Sequence, residues 1–451
     1  MGALDWSDAV ARELMLFAGV GLLIGGIDDL LVDLAYWSAR LVRRRPRLML
    51  GALLPARARH FAIFVPAWDE AAVIGPMLTN LLQRFGEADY RVYVGVYQND
   101  PATAAVVTAL NDGRVRLVTG PRPGPTTKAD NLNTLWHALA ADGWTADAVI
   151  IHDAEDVVHQ DELRVFAALL ADHDVVQLPV LPIIGRGSTL LAGHYGDEFA
   201  ELHGKAMVVR GTLGAGMPLA GTGCAIAMPL LQSAARRRGG EPFDAESLTE
   251  DYELGLKLAE AGGRGCFARV FNESGELIAV RALFPGELAA AVRQKARWMA
   301  GIALAGWDRT GWARPGALAD HWMRVRDRRA PLAIVVLATA YLAILSWGGS
   351  AGLHWWTGTV APAVSEPMMT LLLVNSGLLL WRLAMRMVFA GRNYGWRQAL
   401  WSLPRFLVGN AVALLAAPRA VLLYFRLLRG SPAAWDKTAH AFPDLASLAA
   451  R

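Results

Sequence analysis

The sequence predicts an α/β domain set between transmembrane helices, and three features predict that arrangement. Apolar runs long enough to cross a bilayer lie near the start and toward the end of the 451 residues. The middle alternates short apolar strands with amphipathic helices. Acidic residues gather just after several of those strands, as in AVIIHDAEDVVHQDEL, residues 148 to 163.

Composition agrees with a membrane protein: 54% of residues are hydrophobic and mean hydropathy is +0.29. A net charge of +3 is too small for a nucleic-acid binder. Two cysteines, Cys224 and Cys266, build no disulfide framework and suit a reducing compartment. Residues 14–37 form an apolar stretch of about 24, enough for one span, yet carry Asp28, Asp29 and Asp33. Carboxylates are expensive in lipid, so these three are expected to face protein or the interface. No Ala-x-Ala-type site follows, so the stretch reads as an uncleaved anchor.

Further spans are expected at 331–352 and 367–390. Residues 399–425, interrupted by Pro404, Arg405, Pro418 and Arg419, read as a pair of helices lying in the interface. Arg40, Arg43, Arg44, Arg45 and Arg47 follow the first span, and Arg324, Arg326, Arg328 and Arg329 precede the second. This excess places the region between them on the cytoplasmic side. The expected division is a transmembrane helix at 1–40, a cytoplasmic domain at 41–330, transmembrane and interface helices at 331–430, and a cytoplasmic tail at 431–451.

Within the domain, HFAIFVPAW (60–68), YRVYVGVYQND (90–100), VRLVTG (115–120) and AVIIHDAED (148–156) read as buried strands ending in polar residues. AVIGPMLTNLLQRF (72–85), TAAVVTALN (103–111) and KADNLNTLWHALAA (128–141) read as the helices between them. Such alternation argues for a largely parallel sheet covered on both faces, where ligands bind beyond the carboxyl ends of the strands. Asp69 and Glu70, Asp100, and Asp153 with Glu155 and Asp156 then converge, beside Lys128 and Asn131 at the head of a helix. A lone acid after a strand is ordinarily a turn residue or a cap. Carboxylates spaced this closely repel by about 1 kcal/mol or more. A divalent cation bridging Asp153, Glu155 and Asp156 to a diphosphate would remove the conflict. The cluster is a candidate metal-assisted nucleotide site.

LTEDYELGLKLAEAG (248–262) opens an amphipathic helix. Capping and the helix dipole account for Glu250 without excluding a catalytic carboxylate at Asp251. Gly221, Thr222 and Gly223 allow close backbone approach and are candidates for the floor of an acceptor pocket. Cys224 has no metal-binding partner at the right spacing and reads as a packed thiol; His152, His159, His194 and His203 form no zinc pattern.

Taken in order, FVPAWDE, the strand ending at Asp100, KADNLN, HDAED, GTGCA, LTEDYELG and QKARW resemble the family 2 glycosyltransferases of the GT-A fold. The Gln-x-x-Arg-Trp of Gln294, Arg297 and Trp298 resembles their membrane-bound, cellulose-synthase-like branch. GIDDLLVDLAYW, IHDAEDVVH and WDKTAHAFP are similar to a group within it tied to phage adsorption. The resemblance implies a GT-A (Rossmann-like) domain at the bacterial inner membrane. Its activity would be inverting transfer from a nucleotide sugar, UDP-linked, to a glycan or lipid-linked acceptor, for envelope or exopolysaccharide synthesis.

It also implies roles. Pro66, Glu70, Asp100, Lys128, Asn131 and Asp153 would bind the nucleotide sugar, and Asp153, Glu155 and Asp156 would hold Mg2+ or Mn2+. Asp69 departs from the family's Asn, and Glu155 replaces the second Asp of D-x-D, which is why Asp156 is kept as a third ligand. Asp251 would be the general base beside Glu250, with Gly221, Thr222, Gly223, Gln294, Arg297 and Trp298 serving the acceptor and diphosphate. Implied partners are the lipid bilayer, an outer-membrane export partner of the adsorption protein A type, and a separate cyclic-di-GMP-responsive regulator, with no nucleic acid. Longer members carry a cyclic-di-GMP-responsive region after the membrane part, and no such domain fits after WDKTAHAFP. The competing class is a non-catalytic envelope scaffold or phage-receptor component retaining the fold. Intact Asp251, Gln294, Arg297 and Trp298 favour the enzyme.

Overall fold

The computed structural model describes residues 2–43, 47–53, 59–185, 188–433 and 441–444. Arg44 and Arg45 of the arginine run, and the tail stretch WDKTAH (435–440), lie outside the described residues. The first helix, α1 (Ala3–Arg43), has 41 residues and is about 60 Å long, longer than a hydrocarbon core. After β1 (Leu48–Met49) come β2 (Phe61–Pro66), α2 (Ile74–Phe85), β3 (Tyr90–Val96), α3 (Pro101–Ala109), β4 (Val115–Thr119), α4 (Lys128–Ala141) and β5 (Ala148–Ile151). The alternation seen in the sequence is therefore present. Next are α5 (Glu162–Leu169), β6 (Val175–Gln177), β7 (Val180–Ile183), α6 (Leu191–Glu201), a π-helical turn (Leu202–Ala206) and α7 (Met207–Thr212). β8 (Cys224–Ala227), α8 (Met228–Arg237), α9 (Glu250–Glu260), β9 (Gly265–Phe267), β10 (Val270–Phe271) and β11 (Val280–Leu283) complete the sheets. Then α10 (Leu288–Trp298), a second π-helical stretch (Met299–Ala305), α11 (Gly306–Thr310) and α12 (Leu318–Arg328) lead to α13 (Ala330–Thr357), α14 (Glu366–Tyr394) and α15 (Trp396–Leu428).

The main sheet has seven strands in the order β4-β3-β2-β5-β8-β6-β9. β2 pairs in parallel with β3 on one side and β5 on the other, whereas β8 is antiparallel to both its neighbours. The chain runs outward from β2 to β4 and then returns to β5 on β2's free side. The carboxyl ends of β2 and β5 therefore border a topological switch point, where a crevice opens. Apolar residues fill these strands because both faces are covered. Ile63 and Val65 pack with Met77, Leu78 and Leu81 of α2, while Phe64 and Tyr93 pack with Leu132 and Leu135 of α4.

Four helices, Leu4–Val42, Ala330–Thr357, Glu366–Tyr394 and Trp396–Leu428, are long and apolar enough to cross a membrane. The fourth corrects the expectation of two separate interface helices, because α15 is continuous with Pro404 and Pro418 inside it. Each proline removes one donor, leaving the Leu400 and Leu414 carbonyls without their usual partner. Packing on the domain offsets that loss. Fully buried Arg405 bonds the Thr189 carbonyl at 2.7 Å and Asp197 at 3.3 Å. Further along, Ala416 and Ala420 pack against Leu248, Ala296 and Ala300.

The acids of α1 face protein, as their cost in lipid requires. Asp28 and Asp29 pair with Arg326 and Arg329, and Asp29 also with Arg382 of α14. Asp33 lies 2.6 Å from Lys205 and accepts from Trp381 at 2.9 Å. Small residues let α1 and α14 approach, and Asn375 donates to the Gly19 carbonyl at 2.8 Å.

Helix α9 is held just as tightly. A Cβ added at Gly255 would lie 2.5 Å from the Met217 carbonyl oxygen and 2.6 Å from the Leu219 nitrogen. Backbone cannot swing aside as a side chain can. Gly255→Ala is therefore expected to destabilise the domain by about 1–3 kcal/mol despite alanine's better helix propensity. A lower unfolding midpoint in detergent is the measurement, and an unchanged one would contradict the packing.

Candidate active site

A cavity of about 450 Å³ opens at the switch point, lined by residues from both halves of the domain. Pro66 and Glu70 reach it from the end of β2, and Asp153 and Glu155 from the turn after β5. Thr127 caps α4, its hydroxyl accepting from the Asp130 amide at 3.2 Å, and so sets Lys128 in the first turn, aimed inward. The Lys128 ammonium donates to Asp153 Oδ1 at 2.5 Å and to the Gly221 carbonyl at 2.9 Å, and lies 3.9 Å from Glu250 Oε1. Burial alone would lower its pKa, but the charges of Asp153, Glu250 and Asp251 outweigh that and raise it.

The turn after β5 is built from below. His152 is fully buried, with Nδ1 3.0 Å from Asp156 Oδ2 and Nε2 2.7 Å from Glu162 Oε1. Burial alone would lower the imidazole, but Glu162 and Asp156 raise it to about 10. Asp156 Oδ2 also accepts from the Asp153 amide at 2.9 Å and from the Thr222 hydroxyl. Buried Gln177 holds the facing loop, donating to the Thr222 carbonyl at 2.8 Å and accepting from the Ala220 amide at 2.9 Å. Gly221 has φ +77°, and a Cβ there would lie 2.7 Å from Asp251 Oδ2. Only glycine allows this approach.

On the far wall, burial raises the Asp251 carboxyl, with Lys128 opposing. Burial, and then the Asp251 charge, raise Glu250 to about 7. Helix α10 contributes Gln294, Arg297 and Trp298. Gln294 Oε1 and Arg297 Nε are buried without a hydrogen-bond partner among the described residues, which is unusual unless a ligand or water completes them. Trp298 sits in an aromatic group, with ring centroids 6.0 Å from Tyr195, 6.1 Å from Phe199 and 6.4 Å from Phe284. The Lys295 ammonium lies 5.2 Å from the Trp298 ring and pairs with Glu198.

Of the residues singled out in the sequence, Pro66, Glu70, Lys128, Asp153, Glu155, Asp156, Gly221, Thr222, Glu250, Asp251, Gln294, Arg297 and Trp298 line this one cavity. Asp69, Asp100, Asn131 and Gly223 lie outside its lining. Asp100 caps α3, accepting from the Asp69 amide at 2.6 Å and the Thr103 amide at 3.2 Å, one on each oxygen. Asn131 donates to the Gly95 carbonyl at 3.1 Å and clamps α4 to β3. Gly223, at φ +58°, abuts Val280, where a Cβ would come within 2.5 Å. Asp156 touches the cavity but is 1% exposed, and its bonds to His152, Thr222 and Asp153 make it the brace of the turn. Sequence reasoning missed Gln177, Glu198, Arg210, Tyr252 and Asp327, which motif spacing does not mark; Lys295 was visible only as basic charge on its helix. Cys224 is buried, and burial pushes its thiol up.

The donor set bears on which metal could bind. Among the described residues no group of three or more His, Cys, Asp or Glu is arranged to hold an ion by itself. Asp153 and Glu155 offer hard oxygens from one turn. That suits Mg2+ or Mn2+, which take one or two carboxylates and fill their shell from phosphate and water, and not a closed protein cage.

The mixed α/β sheet, with its crevice at the carboxyl ends of β2 and β5, fits the GT-A fold. Residues 58–301 match the family described as Glycosyltransferase like family 2, over half of the chain, and the chain belongs to that family. Bacteriophage adsorption protein B of Escherichia coli (strain K12) is 34% identical over 459 residues, covering 94% of this chain and 61% of its own length. Bacteriophage N4 adsorption protein B of Escherichia coli O157:H7 matches to the same extent. The chain thus spans about 61% of the length of these relatives. Among solved structures, the mannosyltransferase PcManGT from Pyrobaculum calidifontis, in complex with GDP-Man and Mn2+, is similar with a TM-score of 0.52. The likeness covers 89% of this chain and 99% of that one at 18% identity, a likeness of fold.

The raised carboxyl has a consequence for stability. Glu250 binds its proton more tightly when folded, so its contribution is full below the unfolded value of 4.5 and is lost as pH rises through about 7. Glu250→Gln removes that loss. Between pH 5 and pH 8 the variant's unfolding midpoint is expected to move upward relative to wild type. Parallel pH profiles for the two proteins would contradict a raised Glu250.

Proposed function

We propose that the protein is an inverting glycosyltransferase of the bacterial inner membrane, moving a sugar from a nucleotide-sugar donor to a glycan or lipid-linked acceptor. The observation that carries this reading is the convergence of Asp153, Lys128, the Glu250–Asp251 pair and Gln294–Arg297–Trp298 on one cavity. The donor is taken as UDP-linked from the family resemblance. PcManGT was solved with GDP-Man, so both nucleotides belong in the test. An outer-membrane export partner and a separate cyclic-di-GMP-responsive regulator are part of the same proposal.

In this reading the acceptor hydroxyl oxygen attacks the anomeric carbon and its proton passes to Asp251. The bond from that carbon to the diphosphate oxygen breaks, and the nucleoside diphosphate leaves. The base is worth about 10²–10⁴ in rate. Arg297, whose Nε has no hydrogen-bond partner among the described residues, and Lys128 line the cavity and would meet the diphosphate charge. Asp153 and Glu155 would hold Mg2+ or Mn2+, which supplies charge neutralisation at the leaving group. Trp298 would carry the acceptor sugar on its ring.

The test is transfer from UDP- and GDP-sugars by protein in detergent, with and without Mn2+ or Mg2+. Asp251→Asn is expected to lower transfer by about 100-fold or more with donor affinity little changed. Asp153→Asn should abolish metal-dependent nucleotide binding, whereas Asp161→Asn, which precedes α5, should not. Full transfer by Asp251→Asn, or unchanged nucleotide affinity in Asp153→Asn, would overturn these assignments.

The domain at 41–330 is proposed to face the cytoplasm, from the arginine excess flanking α1 and α13. A cysteine placed near Gly358, beyond α13, should label from the periplasm, and one near Gly239 should not. The reverse pattern would invert the topology.

A further inference from the structure

We infer that Asp327 is a positioning residue for the Asp251 carboxylate, acting through Tyr252, and that α12 thereby seats the catalytic helix on the membrane bundle. The inference rests on the transferase reading above. Helix α12 is two-sided. On one side Trp322 donates to Asp28 of α1 at 2.6 Å, and Arg326 pairs with Asp28 and, at 3.0 Å, with Asp29. On the other, Arg324 lies 2.6 Å from Glu260 at the end of α9, and Asp327 accepts from the Tyr252 hydroxyl at 3.0 Å near its start. Two further bonds from Arg210, at 3.0 and 2.9 Å, fix the Asp327 carboxylate.

The start of α9 needs such an anchor. Thr249 stands at its N-cap yet makes no side-chain capping bond, and its buried hydroxyl has no partner among the described residues. The usual device that locks a first helical turn is therefore missing. In that turn Glu250 meets Lys128 at 3.9 Å, and Tyr252, 4% exposed, is bonded through its side chain to α12. Its own amide donates to Asp251 Oδ1 at 2.8 Å, while Oδ2 faces Gly221 at a separation that excludes even a methyl group. The carboxylate thus has one orientation, set by an amide whose residue is pinned at its phenol. Unpinning Tyr252 lets that amide, and the proton-accepting oxygen with it, turn away from the acceptor. A misplacement of about 1 Å is enough to lower rates by about 100-fold.

The experiment uses the full chain in detergent with the donor and acceptor that wild type turns over. Tyr252→Phe removes one hydroxyl and keeps the ring, and Asp327→Ala removes its acceptor. Both are expected to lower kcat by about 10-fold or more, with KM for donor and acceptor within twofold. The double variant should be no slower than the slower single one, because both cut the same link. Glu260→Gln, which breaks a separate tie between α9 and α12, should lower the unfolding midpoint and leave kcat unchanged. The proposal is overturned by wild-type kcat in Tyr252→Phe, by an effect confined to KM, or by an equal loss of kcat in Glu260→Gln. Absence of transfer by wild type would remove the transferase reading and this inference together.

Discussion

The Lys128 ammonium is surrounded by Asp153, the Gly221 carbonyl and Glu250, with the Asp251 charge adding to theirs. These groups come from segments far apart in the chain: the head of α4, the turn after β5, the glycine loop before β8 and the first turn of α9. Buried carboxylates cannot be crowded without a compensating charge. Buried Lys128, helped by Arg297 opposite Glu250 and Asp251, lets strand-end acids and the acids of α9 face one cavity. Thr127 matters for the same reason, since its cap decides where α4 begins and hence where Lys128 points.

The supporting shell shows how much polar structure is spent on two short loops. His152, Asp156 and Thr222 join the turn after β5 to the glycine loop, and Gln177 ties that loop to the end of β6. Nearly every one of these groups is buried, so each hydrogen bond protects a desolvated atom. A site held this way tolerates little movement. Among the described residues Gln294 Oε1 and Arg297 Nε of α10, across the cavity, are buried without a hydrogen-bond partner, and a ligand there would complete them.

The membrane helices are joined to the domain by charge as well as by apolar packing. Asp28, Asp29 and Asp33 of α1 receive Arg326, Arg329, Arg382 and Lys205, so the acids that looked costly in the sequence are the rivets of the junction. Helix α15 does the same from the other side, with Arg405 driven into the domain beside Asp197. Both side chains are fully buried, and burial raises that Asp197 carboxyl to about 6 against the pull of Arg405.

Strand and helix periodicity, and the polar residues that end each strand, were legible in the sequence because both reflect local rules of burial and backbone geometry. So was the list of acids after β2 and β5, and the apolar length of α1, α13 and α14. Whether a polar residue at a strand end reaches the crevice or caps a helix is not local. Asp100 accepts from the Asp69 and Thr103 amides and Asn131 donates to the Gly95 carbonyl, bonds that position along the chain does not reveal. Pro404 and Pro418 suggested a break in α15, but the contacts that outweigh two lost hydrogen bonds come from residues more than a hundred positions away. The sequence by itself determined the elements and the chemical kinds of residue at the site. The tertiary structure alone decided which of them share a cavity, because charge compensation and desolvation depend on distances that the chain closes only when folded.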